Sequence, residues 1–322
     1  MNYSLGGQQD IGFHTVLDIA YAGNLGRHLR QSVNLNGIAP GADFLPANQD
    51  PSNPGKPLPA DFLRPYPGFG NINQVTYDAT SNYNSLQLQA HRRFTKGLEI
   101  SGVWTWSKVM STSDSGAVST FLNEKARYYG LASFDRTHVV NVNFIYDLPR
   151  FSRIWSNRFT RHVLDSWQLT GIASFISGAP QSISLTTSDG ADISGSPTEA
   201  PRVDVVGNPV SGRAEHGQYH FFIPAAFARP AVGTLGNAGK YSLRGPGINN
   251  WDAGLYKNVV FKDHYRFQLR GEAYNLFNHT QFDSLDTTAR FDAAGNELNA
   301  RLGQAISARN PRRIQLALKF IF

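Results

Sequence analysis

Five ionisable residues stand at alternate positions of two alternating stretches. His91 and Arg93 lie in YNSLQLQAHRRF, and Arg266, Arg270 and Glu272 lie in YRFQLRGEAYNLF. Successive side chains of a strand point to opposite faces. Each set therefore shares a polar face, opposite Leu86, Leu88 and Ala90 in the first stretch and Phe267, Leu269, Gly271 and Ala273 in the second. A row of cations with one carboxylate does binding chemistry rather than covalent chemistry. It attracts anionic or hydroxylated ligands, or another segment of protein, and otherwise solvates the face it stands on. Arg270 and Glu272, two positions apart, also have the spacing to neutralise each other.

Other constellations lack their context. There is no G-x-S-x-G nucleophile elbow. GTLGNAGKYS (Gly233–Ser242) misses the phosphate-loop spacing and carries Tyr241 where Ser or Thr is needed. His216 and His220 are four apart, but zinc takes three or four convergent ligands. Asp189, Asp192 and Glu199 have no calcium-loop register. With no cysteine, disulfides and thiolate metal sites are excluded. The expectation is a chain that is not an enzyme and has no metal or cofactor.

The elements that position the five residues are strands. Charged residues are 17%, below the roughly 25% of ordinary globular domains. Aromatic residues reach 12% and glycines number 30. No apolar run approaches the ~20 residues of a membrane helix. A transmembrane β-barrel hides its hydrophobicity by alternating it with polar lumen residues. The terminal RRIQLALKFIF has that form: Ile314, Leu316, Leu318, Phe320 and Phe322 share one face, and Arg313, Gln315, Ala317, Lys319 and Ile321 the other. GLEISGVWTWSKV ends its apolar stripe on Trp104 and Trp106, the pattern of an interfacial aromatic girdle.

About nine or ten such strands are read, nine of them strong, in an all-β antiparallel transmembrane segment forming a curved open sheet or partial barrel with long external loops. Their connections alternate short and long, and the stretch after Pro149 is a longer connector with room for a short helix. Outer-membrane barrels have short periplasmic turns and long external loops. The terminal strand then runs inward, with Phe322 at the periplasmic rim. The stretch from about Gly23 to Thr80, rich in Pro, Gly and Asn, is expected to be mostly irregular, with NINQVTY (Asn71–Tyr77) as a short extended piece. The loop from Gly178 to Asn249 shows no pattern. The net charge of +6 is spread along the chain and is no nucleic-acid footprint; it suits a mouth or lumen that attracts anions. Met1 is followed by no basic and apolar leader. An odd strand count and the missing leader point to residues 1–322 as the C-terminal part of a larger barrel, without plug domain or signal peptide.

Eight stretches, in order along nearly the whole chain, resemble a known family. They are Val16–Leu29, Arg64–Gln74 (RPYPGFGNINQ), Ser81–Lys108, Phe134–Pro149, Trp167–Pro180, Leu243–Asn258, Phe267–Phe282 and the terminal strand. The set resembles the C-terminal barrel of TonB-dependent outer-membrane receptors, in particular the Oar-like group. The resemblance implies a 22-stranded barrel filled by an N-terminal plug that carries the TonB contact. It implies outer-membrane lipid, the missing N-terminal strands and plug, and the barrel-assembly machinery as partners, with the TonB system reached only through the plug. It also makes Phe322 the terminal residue that the assembly machinery reads. Function is then import of a large scarce solute. The competing readings are a truncated or orphan barrel segment without transport of its own, and a secreted soluble β-protein that binds carbohydrate.

Overall fold

In a computed structural model, the alternating stretches pair in sequence order into one antiparallel sheet. The structure describes residues 1–112, 117–121, 127–150, 152, 158–210, 219–261 and 265–322. The path runs through β1 (Asn2–Asp10), β2 (Thr15–Asn34), β3 (Asn73–Thr95), β4 (Leu98–Ser111) and β5 (His138–Asp147). It continues through β6 (Trp167–Ile176), β7 (Ile248–Phe261), β8 (Tyr265–Tyr274) and β9 (Arg313–Ile321). Every strand pairs with its neighbour in sequence. β1 and β9 end the path with one unpaired edge each, so the sheet is open, as expected.

The register keeps one set of residues on one face throughout. Between β8 and β9, Phe267, Leu269, Gly271 and Ala273 stand opposite Phe320, Leu318, Leu316 and Ile314. The same face continues through Leu255 and Leu169, Gly171 and Phe144, Ile100 and Gly102, Trp104 and Leu88, and Ile19 to Leu5 and Tyr21. The other face pairs Gln8 with Asp18, Gln87 with Thr105, Ser101 with Asn143, Asn141 with Ser174 and Asn258 with Gln268. A slip of one residue anywhere would exchange the faces. The apolar face is uncovered: Leu316 is 77% exposed, Leu318 69% and Leu269 48%. So continuous an apolar band has hydrocarbon, not water, as its solvent.

Rings mark both ends of the band. Trp104 stacks on His138 at 5.9 Å and donates its Nε1–H to Nδ1 at 3.2 Å. Trp251 meets Phe175 and Phe277 edge-on at 5.6 and 5.8 Å. At the opposite end Phe320 lies 5.7 Å from Tyr265, 4.8 Å from Phe267 and 5.8 Å from Phe322. The short connections gather at this second end. Residues 11–14 and 96–97 are turns, and Lys96 (φ 49°) and Gly97 (φ 83°) adopt the two positive φ values that suit a twisted two-residue hairpin. The connection 148–166 carries a short helix, α1 (Arg158–Leu164), as read from the sequence. The turn Lys262-Asp263-His264 lies outside the described residues. The long connections 35–72, 112–137, 177–247 and 275–312 all leave the other end, which fixes it as the external one.

The expectation of irregular chain over Gly23–Thr80 needs correction. β2 runs on to Asn34 and β3 begins at Asn73, with Gln31, Ser32 and Val33 paired to Thr76, Val75 and Gln74. The prolines of this region fall between residues 40 and 67, so the flanks keep their donors. Register shifts between Gly26, Leu29 and Gln31 absorb the glycine-rich sequence as bulges. A strand of 20 residues is about twice what a bilayer needs, so this hairpin stands well above the membrane.

The buried core lies among the loops rather than in the sheet. Ile183, Val203, Phe222, Phe227, Leu243, Leu285, Phe291 and Leu302 pack together from connections 177–247 and 275–312. Short strand pairs (184–187 with 288–291, 204–205 with 227–228) frame them. The other long loops are tied on by polar groups. The Arg127 guanidinium donates to the carbonyls of Leu235, Gly236 and Ala200 at 3.0, 3.3 and 2.9 Å. Gly236 is indispensable there: its φ is +67°, and a Cβ would lie 2.0 Å from the Arg202 carbonyl. Arg244 pairs with the fully buried Asp135, whose other oxygen accepts the Val109 N–H at 2.6 Å. Connection 35–72 joins through Gly41 N–H to Ser194 O (2.7 Å) and Asp43 N–H to Gly195 O (3.0 Å). Burial, followed by the charge of Asp192 and a hydrogen bond with it, raises the Asp43 carboxyl above its ordinary range.

Two outcomes follow. Leu269→Arg destabilises the chain folded into bilayers by about 2–4 kcal/mol if that position faces the bilayer midplane, and Leu318→Arg does the same. Lumen-side Gln315→Arg changes stability by under ~0.5 kcal/mol, measured by urea unfolding in lipid vesicles. The raised Asp43 carboxyl stabilises the loop clasp in its protonated form. That contribution is full below the ordinary carboxyl value and is lost as pH rises through the elevated one. Hydrogen exchange at Gly41 and Asp43, corrected for intrinsic rate, therefore increases as pH rises from the ordinary carboxyl range through the raised one, and Asp43→Asn flattens the dependence.

Candidate functional site

The polar face of β7, β8 and β9 carries the densest set of chemistry-bearing side chains. On β8, Arg266, Gln268, Arg270 and Glu272 stand opposite Ile321, Lys319, Ala317 and Gln315, and Tyr274 stands opposite Arg313. Arg266, Arg270, Arg313 and Lys319 thus share a face with two carboxylates, Glu272 on β8 and Asp252 on β7. The residues between them form a ladder. Gln268 Nε2 donates to Asn258 Oδ1 at 2.9 Å, and Arg270 Nε donates to Gln268 Oε1 at 2.7 Å. The Arg270 guanidinium sits 5.6 Å from the centre of the Tyr256 ring. Glu272 accepts the Tyr256 hydroxyl at 2.9 Å and the Tyr274 hydroxyl at 3.1 Å.

This arrangement departs from mutual neutralisation of Arg270 and Glu272. The carboxylate takes two phenolic donors, while the guanidinium is held by Gln268 and the Tyr256 face. The arginine fork keeps donors for something else. Tyr256, Gln268 and Tyr274 were not singled out in the sequence. Their signal was there, since Tyr256 alternates with Leu255 and Lys257, but the pairing depends on the β7–β8 register.

His91 and Arg93 do not join this cluster. His91 is half-buried on the polar face of β3, opposite Val16 and Ser101. Arg93 lies past the register shift that follows Arg92, at the inner end of the strand, with its N–H on the His14 carbonyl at 3.0 Å. β3 and β8 are separated by β4, β5, β6 and β7, so the two groups stand roughly 24 Å apart across the sheet. They are two stations on one wall. Trp104, Trp106, Leu316, Leu318, Phe320 and Phe322 belong to the opposite, apolar face, Trp104 and Trp106 toward the external end and Phe320 and Phe322 at the inner rim.

Above the ladder the wall opens into a groove of about 870 Å³, lined by Asn250, Asp252, Tyr274, Gln281, Arg309 and Arg313 among others. Its polar floor is built before any ligand arrives. Asp252 Oδ1 accepts Asn250 Nδ2 at 2.9 Å and the Asn275 N–H at 2.8 Å. Gln281 Nε2 donates to Asn250 Oδ1 at 3.0 Å. Asn275 takes a positive φ of 53° and holds the turn by accepting the His279 N–H at 3.0 Å. Among the described residues no group of three or more His, Asp or Glu converges for a metal. Of the pair His216 and His220, the first lies outside the described residues; His220 meets Gln304 at 3.0 Å. Arg229 reaches Asp189 at 3.4 Å, so that carboxylate forms an ion pair and holds the loop. What the site offers is hydrogen bonding and positive charge.

No curated protein matches the chain. Among solved structures, the outer membrane transporter YddB from Escherichia coli is similar at 8% identity and a TM-score of 0.47, covering 99% of this chain and 32% of that one. The siderophore receptor PiuA from Acinetobacter baumannii shows 10% identity and a TM-score of 0.47, covering 99% and 28%. The ferric-catecholate import receptor Fiu from Escherichia coli K12 shows 12% identity and a TM-score of 0.38, covering 99% and 34%. The chain spans about a third of the length of these structures. The family described as outer membrane beta barrel domain matches residues 1–315, so the chain belongs to that family and lies in the outer membrane.

Proposed function

We propose that this chain is the C-terminal part of the wall of a TonB-dependent receptor that imports a large, scarce, anionic solute. The observation that carries the reading is the open sheet. β1 and β9 both run inward and each leaves one edge unpaired. In hydrocarbon, every unpaired backbone group costs several kcal/mol. Joining β1 to β9, within one chain or between two copies, makes a parallel seam in a wall that is otherwise antiparallel. Antiparallel completion takes an odd number of further strands, beginning and ending with outward-running ones, and an even total. The eight stretches that resemble the TonB-dependent group support the same reading.

In this account the protein forms and breaks no covalent bond. The folded external loops capture the solute, the groove beside Arg309 and Arg313 receives it, and Arg266, Arg270, Arg313 and Lys319 carry it inward while the ladder holds Arg270 in place. A plug on the N-terminal side gates passage and contacts TonB, and the assembly machinery reads Phe322. An orphan segment without transport is the second reading, favoured by the same unpaired edges. The uncovered apolar band speaks against a soluble carbohydrate-binding protein.

Uptake of a panel of scarce anionic solutes separates the readings. The proposal predicts at least one solute whose uptake is lost both on deletion of the gene and on collapse of the proton gradient. Arg270→Gln lowers its uptake severalfold with surface capture unchanged. Loss on deletion alone makes the protein a passive pore, and no loss at all supports the orphan reading.

A further inference from the structure

The connection 148–166 breaks the rule of short turns at the inner end, and its helix is fastened in an informative way. Trp167 donates its Nε1–H to the Val163 carbonyl at 2.8 Å. The Lys257 ammonium donates to the Asp165 carbonyl and lies 5.5 Å from the centre of the Trp167 ring. Trp167 and Lys257 are register partners, and Lys257 faces Leu269 on β8. Both anchors therefore belong to the lipid-facing set. A helix held by them lies outside the wall, at the inner rim of the apolar band, and not beneath the lumen.

The sequence of this connection suits that place. Leu148–Ser166 (LPRFSRIWSNRFTRHVLDS) contains four arginines, one aspartate and several apolar and aromatic residues. Arg150, Arg161 and His162 are exposed, Val163 is 43% exposed, and Leu164 is half-buried. Positive side chains beside apolar ones, at the edge of a lipid-facing surface, make an interfacial segment that attracts anionic head groups.

We propose that the described part of connection 148–166, with Arg150, Arg161, His162 and Val163, is a docking surface for anionic phospholipid head groups of the inner leaflet. Arg150 and Arg161 meet the phosphodiesters, and Val163 enters the acyl boundary. The surface is continuous with the lipid-facing band and complements the charge of such lipids. The inference rests on membrane placement alone and is independent of the transport reading.

The test places the assembled outer-membrane protein in nanodiscs of phosphatidylcholine doped with phosphatidylglycerol and counts retained lipids by native mass spectrometry. Wild type retains phosphatidylglycerol preferentially. Each arginine removed lowers that preference about fivefold, so R150Q/R161Q lowers it roughly 25-fold. R290Q/R301Q, with the same charge change at the external end, leaves it unchanged. Heat-modifiable migration on gels checks folding, and R161Q alone, expected to lose about fivefold, serves if the double variant misfolds. Inorganic phosphate does not displace the lipid. Retention unchanged in R150Q/R161Q, an equal loss in R290Q/R301Q, or displacement by phosphate overturns the proposal.

Discussion

Everything in this molecule follows from the need to pair backbone N–H and C=O groups where water cannot reach them. A chain crossing hydrocarbon as strands satisfies each group only through its neighbours, so the strands form one continuous ladder from β1 to β9. Once they are laddered, the side chains sort into two faces without further choice. The register assigns Leu269 and Leu318 to the apolar face and Gln268 and Lys319 to the polar face in the same stroke. The two edges are where this constraint is still unmet within the chain, which is why the functional proposal turns on them.

The same constraint explains where the hydrophobic core went. In a water-soluble sheet protein the apolar face would be covered by a second layer. Here lipid covers it, and the protein's own apolar burial is displaced to the external loops, around Phe222, Phe291, Val203 and Leu243. Those loops reach water and fold as a small protein does, with buried ion pairs and carbonyl-bound arginines such as Arg127 and Arg244 holding the long connections together. The external assembly is thus a preorganised surface, and the groove beside Arg309 and Arg313 lies where it meets the wall.

What could be read from the sequence was what has period two. The strands, their order, the facing of Trp104 and Leu318, the short helix after Pro149 and the open edges all come from alternation and loop length. Strand continuation to Asn34, and the joining of the extended piece at Asn71–Tyr77 to the strand that follows it, were hidden because glycine and asparagine signal turns, although bulges use them too. The core of the external loops has no period. Its one local trace is the apolar run Phe221-Phe222-Ile223 with Phe227, which packs against residues far along the chain such as Leu285 and Leu302. Glu272 was read with its sequence neighbour Arg270, whereas its partners are Tyr256 across the strand pair and Tyr274 along the strand. Polar partners in a sheet are fixed by register, which no single strand contains.

The central claim is that β1 and β9 are not each other's neighbours in the membrane. The chain has no cysteine, so Gly7→Cys and Leu318→Cys place two spin labels cleanly, one on each edge strand. Pulsed dipolar spectroscopy on the assembled protein in bilayers then reads their separation. Nine strands at ~4.8 Å spacing within a larger wall put the labels roughly 30 Å apart or more. A narrow distribution below about 15 Å would mean that β1 and β9 close on each other, and would contradict the account.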